Sequence, residues 1–282
     1  MLASLLIVFR EVLEAGLIAG IVLAATQGTA GRAEWLAGGI GAGVLGAALL
    51  AIFAGALSSA LAGAGQEVFT ASILVIAVLM LGWHNLWVAS HGRETAQQMK
   101  TMGRDVASGQ QSLLAMAVVV GVAVLREGAE VVLFLYGIAA SGEEGLLPLL
   151  AGGASGIAVG AAVAWLLYRG LLAIPVQRLF SITSWLIALL AAGMAGQAAA
   201  VLAGADIIPT WGDQVWNTSW LLPDNGILGR ALHALVGYSD RPVGVQLVAY
   251  VGVLAAMVLG ARQVNRAHLN GTTANSARRR AY

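Results

Sequence analysis

The sequence predicts an all-α integral membrane protein with seven transmembrane helices, built as a 3+3 inverted repeat plus one additional helix. Two observations indicate the class: hydrophobic residues make up 59% of the chain, and charged residues only 10%. Soluble domains average about a quarter charged residues. A third observation, three matching stretches in the same order in the two halves of the chain, predicts the repeat.

Apolar stretches near the length needed to cross a bilayer, about 20 residues, predict seven spans. The first has no basic segment ahead of it and is interrupted by Arg10, so we expect it to remain in the mature protein rather than act as a cleaved signal. We expect the Asn-, Thr-, Ser- and Arg-rich residues 263–282 to form a disordered cytoplasmic tail. The predicted spans are residues 2–26, 36–62, 67–90, 112–140, 146–168, 179–204 and 243–262.

Charges between the spans predict the orientation. Basic residues collect in the connections 27–35, 91–111 and 169–178 and in the tail. The opposite side is mainly acidic, with Glu67, Glu143 and Glu144 and the aspartates of the long outer loop 205–242. The positive-inside rule therefore places the N-terminus outside and the C-terminus in the cytoplasm.

The repeat relates about residues 2–90 to about residues 112–204. REVLE at 10–14 matches REGAE at 126–130, and QEVFTAS at 66–72 matches QRLFSIT at 177–183. Between them, AGG at 37–39 with GAA at 46–48 matches AGG at 151–153 with GAA at 160–162. Because a unit of three crossings reverses direction, its second copy must be inverted. Inverted repeats are typical of transporters with a site near the midplane.

Two charged motifs lie near the centres of spans one and four. Each buried charge costs about 2.5–3.5 kcal/mol on insertion scales, so the charges need partners, water or a bound ion. The two glutamates of each motif share a helix face, and Arg10 and Arg126 can each brace the second one. Carboxylates suit Fe3+, Fe2+, Mn2+, Ca2+ or Mg2+. The candidate metal ligands are therefore Glu11, Glu14, Glu127 and Glu130; the alternative is an ion-pair brace or a proton relay without metal.

Paired R-E-x-x-E motifs in the first and fourth of seven spans resemble the oxidase-dependent iron permease family, including its bacterial members. The resemblance extends to the Glu67-x-Phe69 helix start, Phe134 and the tryptophan-rich outer loop. Val12 departs from the glycine that is common at that position in the family. The resemblance implies that the four motif glutamates bind and pass iron, with Arg10 and Arg126 supporting them.

The resemblance also implies a place and a set of partners. Iron, as Fe3+ or Fe2+, would be a transported substrate, with no tightly bound cofactor and import across the plasma membrane, the inner membrane in bacteria. An extracytoplasmic oxidase or iron-delivery protein is an implied partner. The lipid bilayer surrounds the chain, and a net charge of +1 gives no reason to expect nucleic acid. Other divalent metals, Mn2+ or Pb2+, are alternative substrates.

Three further residues are candidates for positions at the outer or inner end of the pathway. Glu67 could recruit cations at the outer end of span three, or be a solvated helix end. His84 could be an exit-side ligand or a structural histidine. Asp213 lies in the outer loop, which could dock a periplasmic partner or anchor at the interface. Within this loop, apolar residues from Ile227 at helical spacing predict a short helix on the membrane surface.

The sequence offers two rival functions. GASG at 153–156 resembles the nucleophile motif of rhomboid proteases, but spans six and seven contain no histidine to serve as base for Ser155. A proton-coupled solute transporter is the second rival, and dependence of transport on metal separates it from a metal permease. With no cysteine, thiolate metal sites and iron–sulfur clusters are excluded. The sequence therefore predicts a transporter and not an enzyme.

Overall fold

The computed structural model has helices joined by turns and loops, and no strand among the residues that it describes. These are 1–60, 66–141, 145–170, 176–224 and 226–280, with side chains described except at 57–60, 66, 89, 92, 93, 141, 176–180, 227, 230, 231, 234, 235 and 264–280. The helices are α1 Leu2–Ala25, α2 Arg32–Ala60, α3 Gln66–Ala107, α4 Leu113–Ser141, α5 Leu146–Tyr168, α6 Val176–Gly204, α7 Ile227–Val236 and α8 Gly244–Arg280.

Five segments of these helices are long and apolar enough to cross a membrane. Large apolar side chains on their outer faces are exposed, as at Ile52 and Phe53 of α2, which suits contact with lipid tails. Two further helices, α1 and α4, have the length but each contains an arginine and two glutamates. The five segments are Arg32–Ala56, Glu67–Val88, Leu146–Tyr168, Ser181–Gly204 and Gly244–Gln263.

Helix α3 is much longer than the span predicted at 67–90. It continues to Ala107, so residues 91–107, interpreted as loop from their charges, are helical. The reason is an apolar face at helical spacing: Met99, Met102 and Val106 pack against Val22 of α1 and Met116 of α4. The polar face of the same segment explains why it resembles a loop in composition. Only residues 108–112 connect α3 to α4.

The other helix ends lie within a few residues of the predicted spans. The structure continues α8 past residue 262 to Arg280, so disorder of the tail in solution stays a prediction. Glu143 and Glu144, predicted to lie in an outer turn, fall outside the described residues.

Helices α1 and α5 pack together closely, as do α2 and α4. Glycines permit the close approach: a methyl group added to Gly156 would lie 2.7 Å from the carbonyl oxygen of Leu5. A methyl group added to Gly43 would lie 2.6 Å from the carbonyl oxygen of Gly121. Small residues at membrane helix contacts act in this way. Successive contacts advance together along both helices of each pair, so each pair runs parallel.

The contacts within one parallel pair are equivalent to those within the other. Gly39 of α2 faces the carbonyl of Ala117, and Gly152 of α5 faces the carbonyl of Met1. By these contacts Gly39 corresponds to Gly152, whereas the AGG stretches align it with Gly153. The alignment of the two glycine rows therefore shifts by one residue.

At the next equivalent contact, the glycine and the larger residue exchange helices between the two pairs. A methyl group at Gly160 would lie 3.0 Å from Cβ of Val12, so the larger residue is on α1. At the matching contact the glycine is Gly128 of α4, and the larger residue is Ala47 of α2. Val12 is accommodated because α5 supplies a glycine opposite it.

Helices α1 and α4 run antiparallel through the centre. One apolar cluster joins Ile7 near the start of α1 to Ile138 near the end of α4. The second joins Val22 near the end of α1 to Met116 near the start of α4. Helices α3 and α6 flank this pair, and α8 packs on α6 and α3. The charged motifs lie between the two apolar clusters.

The loop 205–242 contains the predicted short helix, α7, which packs against α6 and α1. It ends at Gly237, whose φ of 68° is left-handed and favours glycine. A methyl group at Gly193 of α6 would lie 2.7 Å from the Cα of Gly237. At about 1.5 Å per residue, Gly193 lies roughly 16 Å from the end of α6. The end of α7 therefore packs well inside the length of α6, whereas the sequence predicts a helix on the membrane surface.

Candidate functional site

The first charged motif lies midway along α1 and is buried. Arg10 and Glu11 are fully buried, and Glu14 is 9% exposed. Arg10 Nη2 lies 2.9 Å from Glu14 Oε1, and Arg10 Nη1 lies 3.2 Å from Glu11 Oε1. One guanidinium therefore holds both carboxylates of its own helix by charge-assisted contacts.

The second motif, on α4, repeats the brace with a more open arginine. Arg126 Nε donates a hydrogen bond of 3.2 Å to Glu130 Oε1. Its side chain is 41% exposed, and its guanidinium carbon lies 4.1 Å from the centre of the Trp87 ring. This is cation–π geometry. Both motifs therefore have an ion pair between the arginine and the glutamate four residues later. They differ in how exposed the arginine is.

His84 of α3 brings the two motifs together. Its Nε2 lies 3.6 Å from Glu11 Oε2 and 3.5 Å from Glu14 Oε2, both on α1. Its Nδ1 contacts Glu130 Oε2 on α4. The imidazole is 2% exposed. A single ring between α1 and α4 therefore faces three of the four motif carboxylates.

Four buried residues present ligand atoms close enough to share one ion. One ligand atom from each of Glu11, His84, Glu127 and Glu130 lies within 4.8 Å of all the others. Metal–ligand distances of about 2.0–2.3 Å place opposite ligands about 4.0–4.6 Å apart. The ligand atoms would therefore have to approach one another by only a few tenths of an ångström to bind one metal ion. Glu14 joins the edge of this group through His84.

Among the described residues, no cationic side chain forms an ion pair with Glu127. Glu127 is 5% exposed, and its Oε2 has no hydrogen-bond partner among the described residues. A buried carboxylate without a partner is costly. Even with the His84 imidazole counted as a cation beside the two guanidiniums, the four carboxylates leave an excess of negative charge that a metal cation would neutralise.

A groove of about 710 Å³ between α3 and α4 borders this cluster. Of the cluster residues it touches His84 and Glu130, and Arg126 also lines it. Exposed Leu79 and Trp83 line it as well, so the groove opens on the apolar outer face of the bundle. The groove is lined by Leu79, Met80, Trp83, His84, Trp87, Arg126 and Glu130.

The other candidate residues lie outside the cluster. Glu67 is exposed in the first turn of α3. Asp213 is exposed in the outer loop, where it accepts a 2.9 Å hydrogen bond from Thr210 Oγ1. Ser155 donates to the carbonyl of Ala151 on its own helix at 2.7 Å, as an ordinary helix serine does.

The sequence interpretation assigned His84 to the exit side or to a structural role, and the structure places it among the glutamates. Nothing in the run GWHNLWVASH shows that α3 passes between α1 and α4. One sequence observation bears on its depth: the match of QEVFTAS at 66–72 to QRLFSIT at 177–183 pairs Gly82 with Gly193, which lies midway along a predicted span.

Comparison with known proteins gives one family and several relatives of similar length. The profile of the iron permease FTR1 family matches residues 1–264. The protein named ferrous iron permease EfeU of Escherichia coli O6:K15:H31 is 30% identical over 271 residues, covering 93% of this chain and 97% of that one. Its namesake in Shigella sonnei is 29% identical with the same coverage. The one from Yersinia pestis is 27% identical over 265 residues, covering 92% and 93%. No solved structure matches significantly.

Proposed function

Because the chain belongs to the iron permease FTR1 family, we propose that it carries iron across the bacterial inner membrane through Glu11, Glu14, Glu127 and Glu130. Members of this family are transporters, so the chain is a multi-pass membrane permease and not an enzyme. Iron is its transported substrate, and no resident cofactor is implied.

The observation that carries the proposal is the buried meeting of both motifs. Glu11 and Glu127, from different helices, reach the same point with more negative than positive charge around them. A structural ion-pair brace would satisfy every carboxylate, yet Glu127 has no such partner among the described residues. A site that is complete only with a cation accounts for this imbalance.

The arginines have distinct roles in this proposal. Arg10 is fully buried and holds Glu11 and Glu14 in fixed rotamers when no ion is bound. Arg126 is half-exposed on the groove and braces Glu130 alone. Iron would enter from the outer face, bind among the four glutamates and leave to the cytoplasm. Glu67 and Asp213 are proposed only to raise the local cation concentration outside.

A 3+3 inverted repeat with one added helix is the proposed architecture. It is supported by the parallel pairs α1–α5 and α2–α4, their equivalent glycine contacts and the antiparallel run of α1 against α4. With α1 and α4 counted as spans, the chain crosses seven times. The charge pattern then supports an outer N-terminus and a cytoplasmic C-terminus.

Fe2+ is the proposed form of the substrate. The relatives are named ferrous iron permeases, and an imidazole beside the carboxylates makes the donor set less hard than oxygen alone. A protein outside the membrane that delivers iron is a proposed partner, and the outer loop 205–242 is the surface available to it. An oxidase as partner would instead supply Fe3+ as the carried form.

Uptake of radiolabelled Fe2+ into proteoliposomes, downhill and under anaerobic conditions, tests the proposal. We expect Glu14→Gln and Glu130→Gln to reduce the initial rate at least tenfold, since each removes a charged ligand and keeps the side-chain shape. Glu67→Gln is the matched control outside the cluster and should keep most of the rate. Normal uptake in both cluster variants would rule out the site, and stronger uptake of Mn2+ than of Fe2+ would change the substrate.

A further inference from the structure

His84 differs from an ordinary buried histidine in what its ring nitrogens face. Among the described residues neither nitrogen has a backbone hydrogen-bond partner. Both instead face carboxylates, Nε2 those of α1 and Nδ1 that of α4. His91, one turn past Trp87, shows the contrast: it is exposed, and its Nδ1 contacts Ser90 and the Trp87 carbonyl of its own helix.

We propose that His84 is a nitrogen ligand of the transported cation and sets which class of metal the site accepts. The inference rests on the proposed permease function and goes beyond it by naming the selectivity residue. One ligand atom of His84 lies within 4.8 Å of those of Glu11, Glu127 and Glu130. It can therefore bind the same ion as carboxylates from both motifs.

Ligand chemistry explains why one nitrogen matters. Carboxylates alone suit Mg2+, Ca2+ and Mn2+, whereas imidazole suits first-row transition metals such as Fe2+ and Zn2+. Ca2+ takes six to eight oxygen ligands, and Mg2+ is bound chiefly through carboxylates, phosphates and water. A buried imidazole in place of an oxygen ligand therefore weakens the binding of both Ca2+ and Mg2+. The four glutamates would supply affinity and His84 the discrimination against alkaline-earth ions.

Only one of the two repeats has a histidine at this position. Because Gly82 matches Gly193 in the two repeats, the counterpart of His84 is Ala195, a partly buried residue packed on the apolar core. The site therefore has four carboxylates from two equivalent motifs but a single imidazole, contributed by α3. His84 lines the same groove as Trp87 and Arg126.

Pulsed electron paramagnetic resonance of Mn2+ bound to the purified full-length protein tests ligation directly. We expect modulation from a coordinated 14N nucleus in the wild type and in His91→Gln, and none in His84→Gln, which keeps the four carboxylates. A second protein, with His91, His233 and His268 replaced by Gln, retains His84 alone and should keep the modulation. Bound Mn2+ without nitrogen modulation in the wild type would overturn the proposal while leaving the glutamate site intact.

Competition for Fe2+ uptake tests selectivity. In the wild type we expect Zn2+ to compete at least tenfold better than Ca2+, and in His84→Gln we expect this preference to fall by about tenfold. An unchanged preference would overturn the selectivity role. If the wild type moved no metal, or if Glu11→Gln and Glu127→Gln transported normally, the permease site itself would fail, which is a separate result.

Discussion

Replacing Gly156 by alanine should displace α1 and with it the first charged motif. The added methyl group would lie 2.7 Å from the Leu5 carbonyl oxygen and 2.9 Å from the Phe9 nitrogen and the Val8 Cβ. Two of these atoms are backbone, so no side-chain rotation relieves the contact. Ordinary contact begins at about 3.4 Å, and α1 must therefore move by about 0.7 Å.

This displacement sets the expected magnitudes. Overpacking of a close contact costs roughly 1–3 kcal/mol. Metal sites tolerate ligand shifts of only about 0.2 Å, and misplacement by about 1 Å can lower a rate about 100-fold. Since Glu11 is in the turn that follows Phe9, we expect Fe2+ uptake to fall about 10- to 100-fold, with a lower unfolding temperature.

Gly153→Ala is the matched control in the same helix. Its methyl group would lie 4.0 Å from Cγ2 of Val8, an ordinary contact. Thermal unfolding in detergent and uptake in proteoliposomes are measured for both variants. If Gly156→Ala matched Gly153→Ala in both assays, the packing of α1 on α5 described above would be refuted.

Three further predictions concern the paired motifs. Arg10→Met should lower the free energy of unfolding by roughly 3–5 kcal/mol, because it leaves buried carboxylates without a counter-charge. Arg126→Met, at a half-exposed site, should lower it by less, and urea or thermal unfolding of both variants measures the difference. Gly128→Val should destabilise the α2–α4 contact, and Ala47→Gly should restore it, as measured by unfolding temperature of the single and double variants. Mn2+ at 100 times its dissociation constant should stabilise the wild type by about 2.7 kcal/mol, and Glu127→Gln should lose most of that gain.

Much of the site was predictable because charge in an apolar helix is so costly. Arg10 with Glu14 and Arg126 with Glu130 have the spacing for ion pairs on one helix face, and the repeated motif implies that the two helices meet. These inferences need only helix geometry and the low polarity of the bilayer. The structure places the arginine–glutamate pairs at 2.9 and 3.2 Å.

What could not be predicted depends on packing between distant segments. The charged composition of residues 91–107 hides an apolar face at Met99, Met102 and Val106, and its helical state follows from the surface of α1 and α4 that it covers. The neighbours of His84 could not be predicted, because they come from the helices on either side of α3. The one-residue shift in the glycine rows likewise reflects how α2 and α5 lie on their partners.

The central claim is that one cation binds between the two motifs, and an anomalous difference map at the iron edge tests it most directly. Crystals of the full chain, soaked anaerobically with Fe2+, should show one peak about 2.0–2.3 Å from carboxylate oxygens of both α1 and α4 and from a nitrogen of His84. A map with no peak between Glu11 and Glu127, or with iron bound by a single motif, would contradict the account.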